Sequence, residues 1–161
     1  MKKNGFVKDF ARGNAGVEYV LSVINKYNPR IDAIENKTAG ISHDIEIEIL
    51  SAHGTSYVYT AEIKYDLYAK RSGNMAIEYH NSKKDKASGI AATAADYWIH
   101  VFDKPQEAYI IETEGLKQAL LELKPVRIVE NAGDGNANLY LYKKEVLLQK
   151  FVLLEDFLCR R

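Results

Sequence analysis

Glu62 and Lys64 stand two residues apart in the stretch YTAEIKYD, Tyr59 to Asp66. In an extended strand, alternate side chains share one face, so a carboxylate and an ammonium lie side by side there. Such a pair is either part of a solvated sheet face or part of a catalytic group completed from elsewhere in the chain. Asp44 is the candidate second carboxylate. Together Asp44 and Glu62 offer the hard oxygen ligands that Mg²⁺ or Mn²⁺ prefers, completed by waters and a substrate phosphate. The backbone carbonyl of Ile63 points sideways from the strand and is a further candidate ligand. Lys64 on the same face would stabilise charge on a phosphate oxygen or orient an attacking water. Glu18, on the first predicted helix, would bind the metal's water or hold Lys64.

Two alternating runs must bring these residues together. ISHDIEIEIL places Ile45, Ile47 and Ile49 on one side and Asp44, Glu46 and Glu48 on the other. SAHGTS supplies turn residues, and YVYTAEIKY resumes the alternation with Tyr57, Tyr59, Ile63 and Tyr65. The pair reads as a β-hairpin turning near His53 and Gly54. Residue numbers across an antiparallel ladder sum to a constant, so Asp44 falls opposite Glu62 or Lys64. Glu46 and Glu48 show that this strand accepts exposed carboxylates, so the charge pattern alone suits a wet face as well as a site.

Ahead of the hairpin, Phe6, Phe10, Val17, Val20, Leu21 and Ile24 recur at helical spacing over residues 5–27, which reads as one amphipathic helix or two short ones meeting near Gly13 and Gly16, ended by Asn28-Pro29-Arg30. After it, GNMAIEYHN suggests a short strand carrying Glu78. SKKDKASGIAATAADYW suggests a helix with Ser88 near its start, running into the apolar strand YWIHVF. EAYIIET reads as strand, TEGLKQALLEL as helix with Thr113 as cap, and PVRIVEN as strand. AGDGNAN is a turn, LYLYKKEVLLQK a strand passing into a short helix, and FVLLEDFL follows. The order predicts an α/β fold, a central mixed sheet flanked by helices, with residues 1–161 as one domain and no repeat or linker.

Composition limits the chemistry. The chain has 161 residues, 47% of them hydrophobic, enough for one core without disulfides. Cys159 is the single cysteine, which excludes an intramolecular disulfide and a thiolate zinc cluster. The start lacks the apolar core of a signal peptide and no stretch approaches a membrane span, so a cytoplasmic protein is expected. Lysine plus arginine equals aspartate plus glutamate at 22 each, so any polyanion site must be local. His43, His53, His80 and His100 show no zinc spacing; His100, in an apolar strand, reads as a core histidine.

An acidic residue on one strand, Glu-x-Lys on the next and a glutamate-bearing helix before them resemble the PD-(D/E)XK nuclease superfamily, here Asp44, Glu62-Ile63-Lys64 and Glu18. The continuation EIKYD, GNMAIEY and SGIAATAADYW is similar to small phage-type and bacterial nucleases of that superfamily. The resemblance spans roughly residues 13 to 102. It implies a restriction-endonuclease-like core and a Mg²⁺-dependent deoxyribonuclease, with Asp44 and Glu62 on the metal, Lys64 assisting the water and Glu18 completing the site. Small stand-alone relatives include enzymes that resolve four-way DNA junctions and cut branched DNA as symmetric dimers. A homodimer on DNA is therefore expected, with Leu147 to Leu158 either forming its surface or closing the core. The likeness also implies a bacterial or phage-infected cell as the setting, and no nucleotide cofactor is expected.

Several accessory residues carry two readings. Glu78 lies at the site's rim or in a structural pair. Ser88 and Thr93 contact a phosphate at a helix start, or serve as N-cap and packed hydroxyl. Asp96 is a functional carboxylate or a lysine's partner, while Tyr97 and Trp98 read as core. Lys70-Arg71 and Lys83-Lys84-Lys86 lie in the loops flanking the Glu78 strand, where they track a DNA backbone or form solvated loops. No base-reading module is visible, which favours recognition of DNA shape over sequence. A nuclease whose specificity comes from a partner in restriction or repair, and a catalytically silent nucleic-acid-binding domain of the same fold, are the alternatives.

Overall fold

A computed structural model describes residues 3–36, 43–50, 53–132 and 136–160, with side chains from residue 14 onward. The side chains of Phe6 and Phe10, and residues 51–52 and 133–135 of the two expected turns, lie outside the described residues.

Helix α1 spans Lys3–Tyr27, and the buried Val17, Val20, Val23 and Ile24 form its inner stripe. Strands β1 (Ile31–Glu35), β2 (Ile45–Leu50) and β3 (Ser56–Asp66) then form an antiparallel meander. β1 has no counterpart in the sequence reading. β6 (Tyr97–Phe102) lies parallel to β3, followed antiparallel by β7 (Glu107–Glu112) and the two-residue β10 (Val152–Leu153). The order β1-β2-β3-β6-β7-β10 makes one mixed six-stranded sheet. Every residue of β6 is buried, as expected for a strand covered on both faces.

The odd residues of β2 and β3, Ile45, Ile47, Ala61 and Ile63, join Ile99 and Val101 against α1 and the C-terminal helix α5 (Leu154–Cys159). Gly16 lets α1 approach β3 closely: a Cβ there would stand 3.2 Å from Cβ of Tyr65. On the other face, Trp98 and Phe102 pack with Leu116 of α3 (Thr113–Glu122) and with Met75, Ile77 and Tyr142. These last three belong to a second, antiparallel sheet, absent from the sequence expectation: β5 (Lys86–Ala87), β4 (Asn74–Asn81), β9 (Ala137–Lys143) and β8 (Arg127–Ala132). The short α2 (Ala69–Ser72) leads into β4, and α4 (Lys144–Leu147) leaves β9. Leu147, Phe151, Leu154 and Leu158 are buried, so the C-terminal segment closes the core.

Two expectations are corrected. The predicted helix over residues 82–98 does not form; the chain makes β5, a three-residue 3-10 turn at Gly89–Ala91 and then extended backbone. Gly89 has φ +51°, and a Cβ on it would overlap the carbonyl oxygen of Glu78. Such a close approach needs glycine and breaks an otherwise alanine-rich helical pattern. Thr113 is the first residue of α3 rather than its cap; Glu112 occupies the cap position, and the Thr113 amide donates to the Asp96 carbonyl instead.

Candidate active site

Ile45 pairs with Ala61 and Ile47 with Tyr59, and the ladder ends there, with Asp44 one residue beyond it against Ala61 and Ile63. β2 begins just after Asp44, whose amide donates to the Ala61 carbonyl while its carboxylate accepts the Ile63 N–H at 2.7 Å. A strand residue's N–H and C=O point to the same side. The Ile63 carbonyl therefore projects toward Asp44 as well, beyond the last ladder pair.

Glu62, Lys64 and Asp66 share the even face of β3, beside Trp98, His100 and Phe102 of the parallel β6. Lys64 Nζ lies 2.6 Å from Glu62 Oε1 and 5.7 Å from the centroid of the Trp98 ring. Both charged side chains are half-buried. Burial pushes the Glu62 carboxyl above the ordinary glutamate value; Asp44 and Glu78 add to the rise and Lys64 opposes it. For Lys64, burial works against the charged form, but the Glu62 carboxylate outweighs it, aided by Glu78 and Asp44, and its pKa sits above the ordinary lysine value. The Lys64 ammonium is held protonated by three surrounding carboxylates.

Asp44, Lys64 and Glu78 line one cavity of about 420 Å³ together with Tyr68, Ala76, His100 and Leu139. Glu78 reaches it from β4 and accepts a 2.7 Å hydrogen bond from the Ser88 hydroxyl, so Ser88 orients a carboxylate rather than capping a long helix. Thr93 is buried and its hydroxyl accepts the Ala95 N–H. Asp96 is exposed, and its carboxylate accepts both the Thr60 amide and hydroxyl, which pins the start of β6 to β3; these partners come from Thr60, not from a lysine. Glu18 is exposed on α1, between Val17 and Val20, which pack on the opposite face of the sheet from Glu62. Lys70 and Arg71 lie in α2 at the start of β4, and Lys83, Lys84 and Lys86 beyond its end, all exposed.

Two residues escaped the sequence reading. Asp66 Oδ1 accepts the amides of Tyr68 and Ala69, and its Oδ2 meets His100 Nε2 at 3.3 Å. Burial alone raises the Asp66 carboxyl, but His100 and the two amides outweigh it and hold it below the ordinary aspartate value. The signal was present: Asp66 continues the even face of Glu62 and Lys64 and precedes the short helix α2 by a capping distance. His100, read as a core histidine, is indeed 1% exposed, and its partner is this carboxylate.

Among the described residues, no three His, Cys, Asp or Glu side chains converge on one point. Asp44, Glu62 and the Ile63 carbonyl are oxygen donors of the hard kind that suits Mg²⁺, which keeps several waters and takes few protein ligands.

The architecture has a counterpart among solved structures. D212, a nuclease from a fusselovirus, superimposes with a TM-score of 0.52 at 12% identity, over 92% of this chain and 88% of its own. This chain shares the D212 fold. A bacterial homing endonuclease, I-Ssp6803I, superimposes with a TM-score of 0.47 at 9% identity over 64% of this chain, which spans 64% of that enzyme. No family model and no curated protein matches the sequence. Among the described residues no helix is long and apolar enough to cross a membrane.

Proposed function

We propose that this chain is a Mg²⁺-dependent DNA endonuclease of the PD-(D/E)XK kind, hydrolysing phosphodiester bonds in branched or junction DNA, with Asp44, Glu62 and Lys64 as its centre. The observation that carries the proposal is the seating of the Asp44 carboxylate on the Ile63 N–H where β2 parts from β3, between Glu62 and Lys64, which pair with each other. The fold shared with D212 supports it.

Asp44, Glu62 and the Ile63 carbonyl would hold Mg²⁺, or Mn²⁺ in its place, which supplies Lewis-acid charge and an activated water when bound. The backbone bond to Asp44 orients that carboxylate before substrate arrives. Lys64, protonated across neutral pH, presents positive charge to a phosphate oxygen and orients water; it does not serve as the general base. Glu78, held by Ser88, borders the same cavity as a rim carboxylate. Glu18, exposed on the helix that covers the opposite face of the sheet, is left out of this centre. The basic groups at the two ends of β4 flank Glu78, so a DNA backbone lying along that strand would meet cations on either side of the site.

The test is cleavage of a four-way junction, a flap, a single strand and a plain duplex with Mg²⁺, Mn²⁺ or EDTA, with Glu62→Gln as control. Metal-dependent cutting of branched DNA, lost in Glu62→Gln with thermal stability kept, is expected. A folded wild-type protein that cuts none of these, with or without metal, overturns the proposal in favour of a partner-dependent enzyme or a silent binding domain. A symmetric pair of copies would cut two strands, and light scattering with and without junction DNA checks that pairing.

A further inference from the structure

Tyr68 is 60% exposed and lines the cavity that Asp44 and Lys64 also line. Its backbone is firmly held. The Tyr68 amide donates to Asp66 Oδ1 at 2.8 Å, Asp66 is secured by the buried His100, and the Tyr68 carbonyl accepts the amides of Arg71 at 3.0 Å and Ser72 at 2.9 Å. Arg71 is exposed, with its guanidinium carbon 5.7 Å from the Tyr68 ring centroid. An exposed ring on a fixed backbone, with a cation beside it and the cavity next to it, is an arrangement by which proteins stack a nucleobase and neutralise its phosphate.

We infer that Tyr68 is a stacking platform for an unpaired base next to the scissile phosphate, with Arg71 on the adjoining backbone. This inference rests on the nuclease reading of the same site and names its substrate class: DNA with at least one unstacked nucleotide at the cut. In an intact duplex each base is covered by its neighbours, so the ring finds no free face. The cavity of about 420 Å³ lies in the size range of pockets that hold a ligand as large as one nucleotide.

The experiment uses the full chain in EDTA, so that binding is read apart from cleavage. Anisotropy is measured on a blunt duplex, the same duplex with a 2-aminopurine flap, and a single strand containing 2-aminopurine. Tyr68→Ala should lose about ten-fold or more in affinity for the flap and the single strand but less than about two-fold for the duplex, because stacking is confined to the free base. Tyr68→Phe should bind as wild type. The wild type and Tyr68→Phe should quench 2-aminopurine, and Tyr68→Ala should not. Tyr68→Leu, which keeps apolar bulk without the ring, should follow Tyr68→Ala, and circular dichroism checks that every variant is folded. Equal losses on all three DNAs, or none, would overturn the inference. If the wild type cuts DNA with metal yet shows neither flap preference nor quenching, the stacking role falls and the nuclease reading stands. If it neither binds nor cuts, both fall.

Discussion

At the scale of single residues, the Lys64–Glu62 contact decides how the site responds to pH. A glutamate whose pKa is raised by burial favours the protonated form in the folded state. Its contribution to stability is therefore fully present below the ordinary value of 4.5 and is lost as pH rises through the folded pKa. Lys64 opposes this rise, so Lys64→Met should push the Glu62 carboxyl higher still. Carboxyl NMR titration of the metal-free protein checks both statements, with the variant titrating above wild type and wild type above an unperturbed glutamate. A Glu62 unchanged by Lys64→Met would mean that the 2.6 Å pair is not held in solution.

Among the elements, the 3-10 turn at Gly89–Ala91 is the weak link in the wall of the site. It seats Ser88 on Glu78 by bringing backbone against backbone at Gly89. Gly89→Ala combines a left-handed φ with a clash against the Glu78 carbonyl, and should cost roughly 1–3 kcal/mol or more. Urea denaturation checks the cost. The same elements separate what the sequence could say from what it could not. Ile45, Ile47, Ala61 and Ile63 alternate within one hairpin, so a register that brings Asp44 to the Glu62–Lys64 stretch followed from counting. The segment before Tyr97 misled because its alanines favour a helix, whereas Gly89 and the Asp96–Thr60 bonds, both tertiary, forbid one. β4 and β9 pair across a long stretch of chain, Ile77 opposite Tyr140, and no local pattern announces such a pairing. Asp66 was visible as a residue but not as a site member, because its partner His100 comes from the parallel strand.

For the molecule as a whole, affinity for DNA is expected to be concentrated rather than spread. Twenty-two basic residues balance 22 acidic ones, and the exposed Lys70-Arg71 and Lys83-Lys84-Lys86 sit at opposite ends of a strand eight residues long, about 26 Å at the usual rise. Replacing Lys83, Lys84 and Lys86 by alanine should weaken binding and flatten its salt dependence. The slope of log K against log salt should fall by about 0.7 to 0.9 for each phosphate that is no longer neutralised. An unchanged slope in a salt titration would mark that loop as solvated surface.

Trp98 gives this architecture a last consequence. It is the chain's only tryptophan, fully buried, with the Lys64 ammonium 5.7 Å from the centre of its ring. The field of that one cation bears on the only indole emitter in the protein. Whatever draws Lys64 away from Glu62, an arriving ion or a strand of DNA, must alter the colour or intensity of that emission, so the molecule carries its own optical gauge of an engaged site.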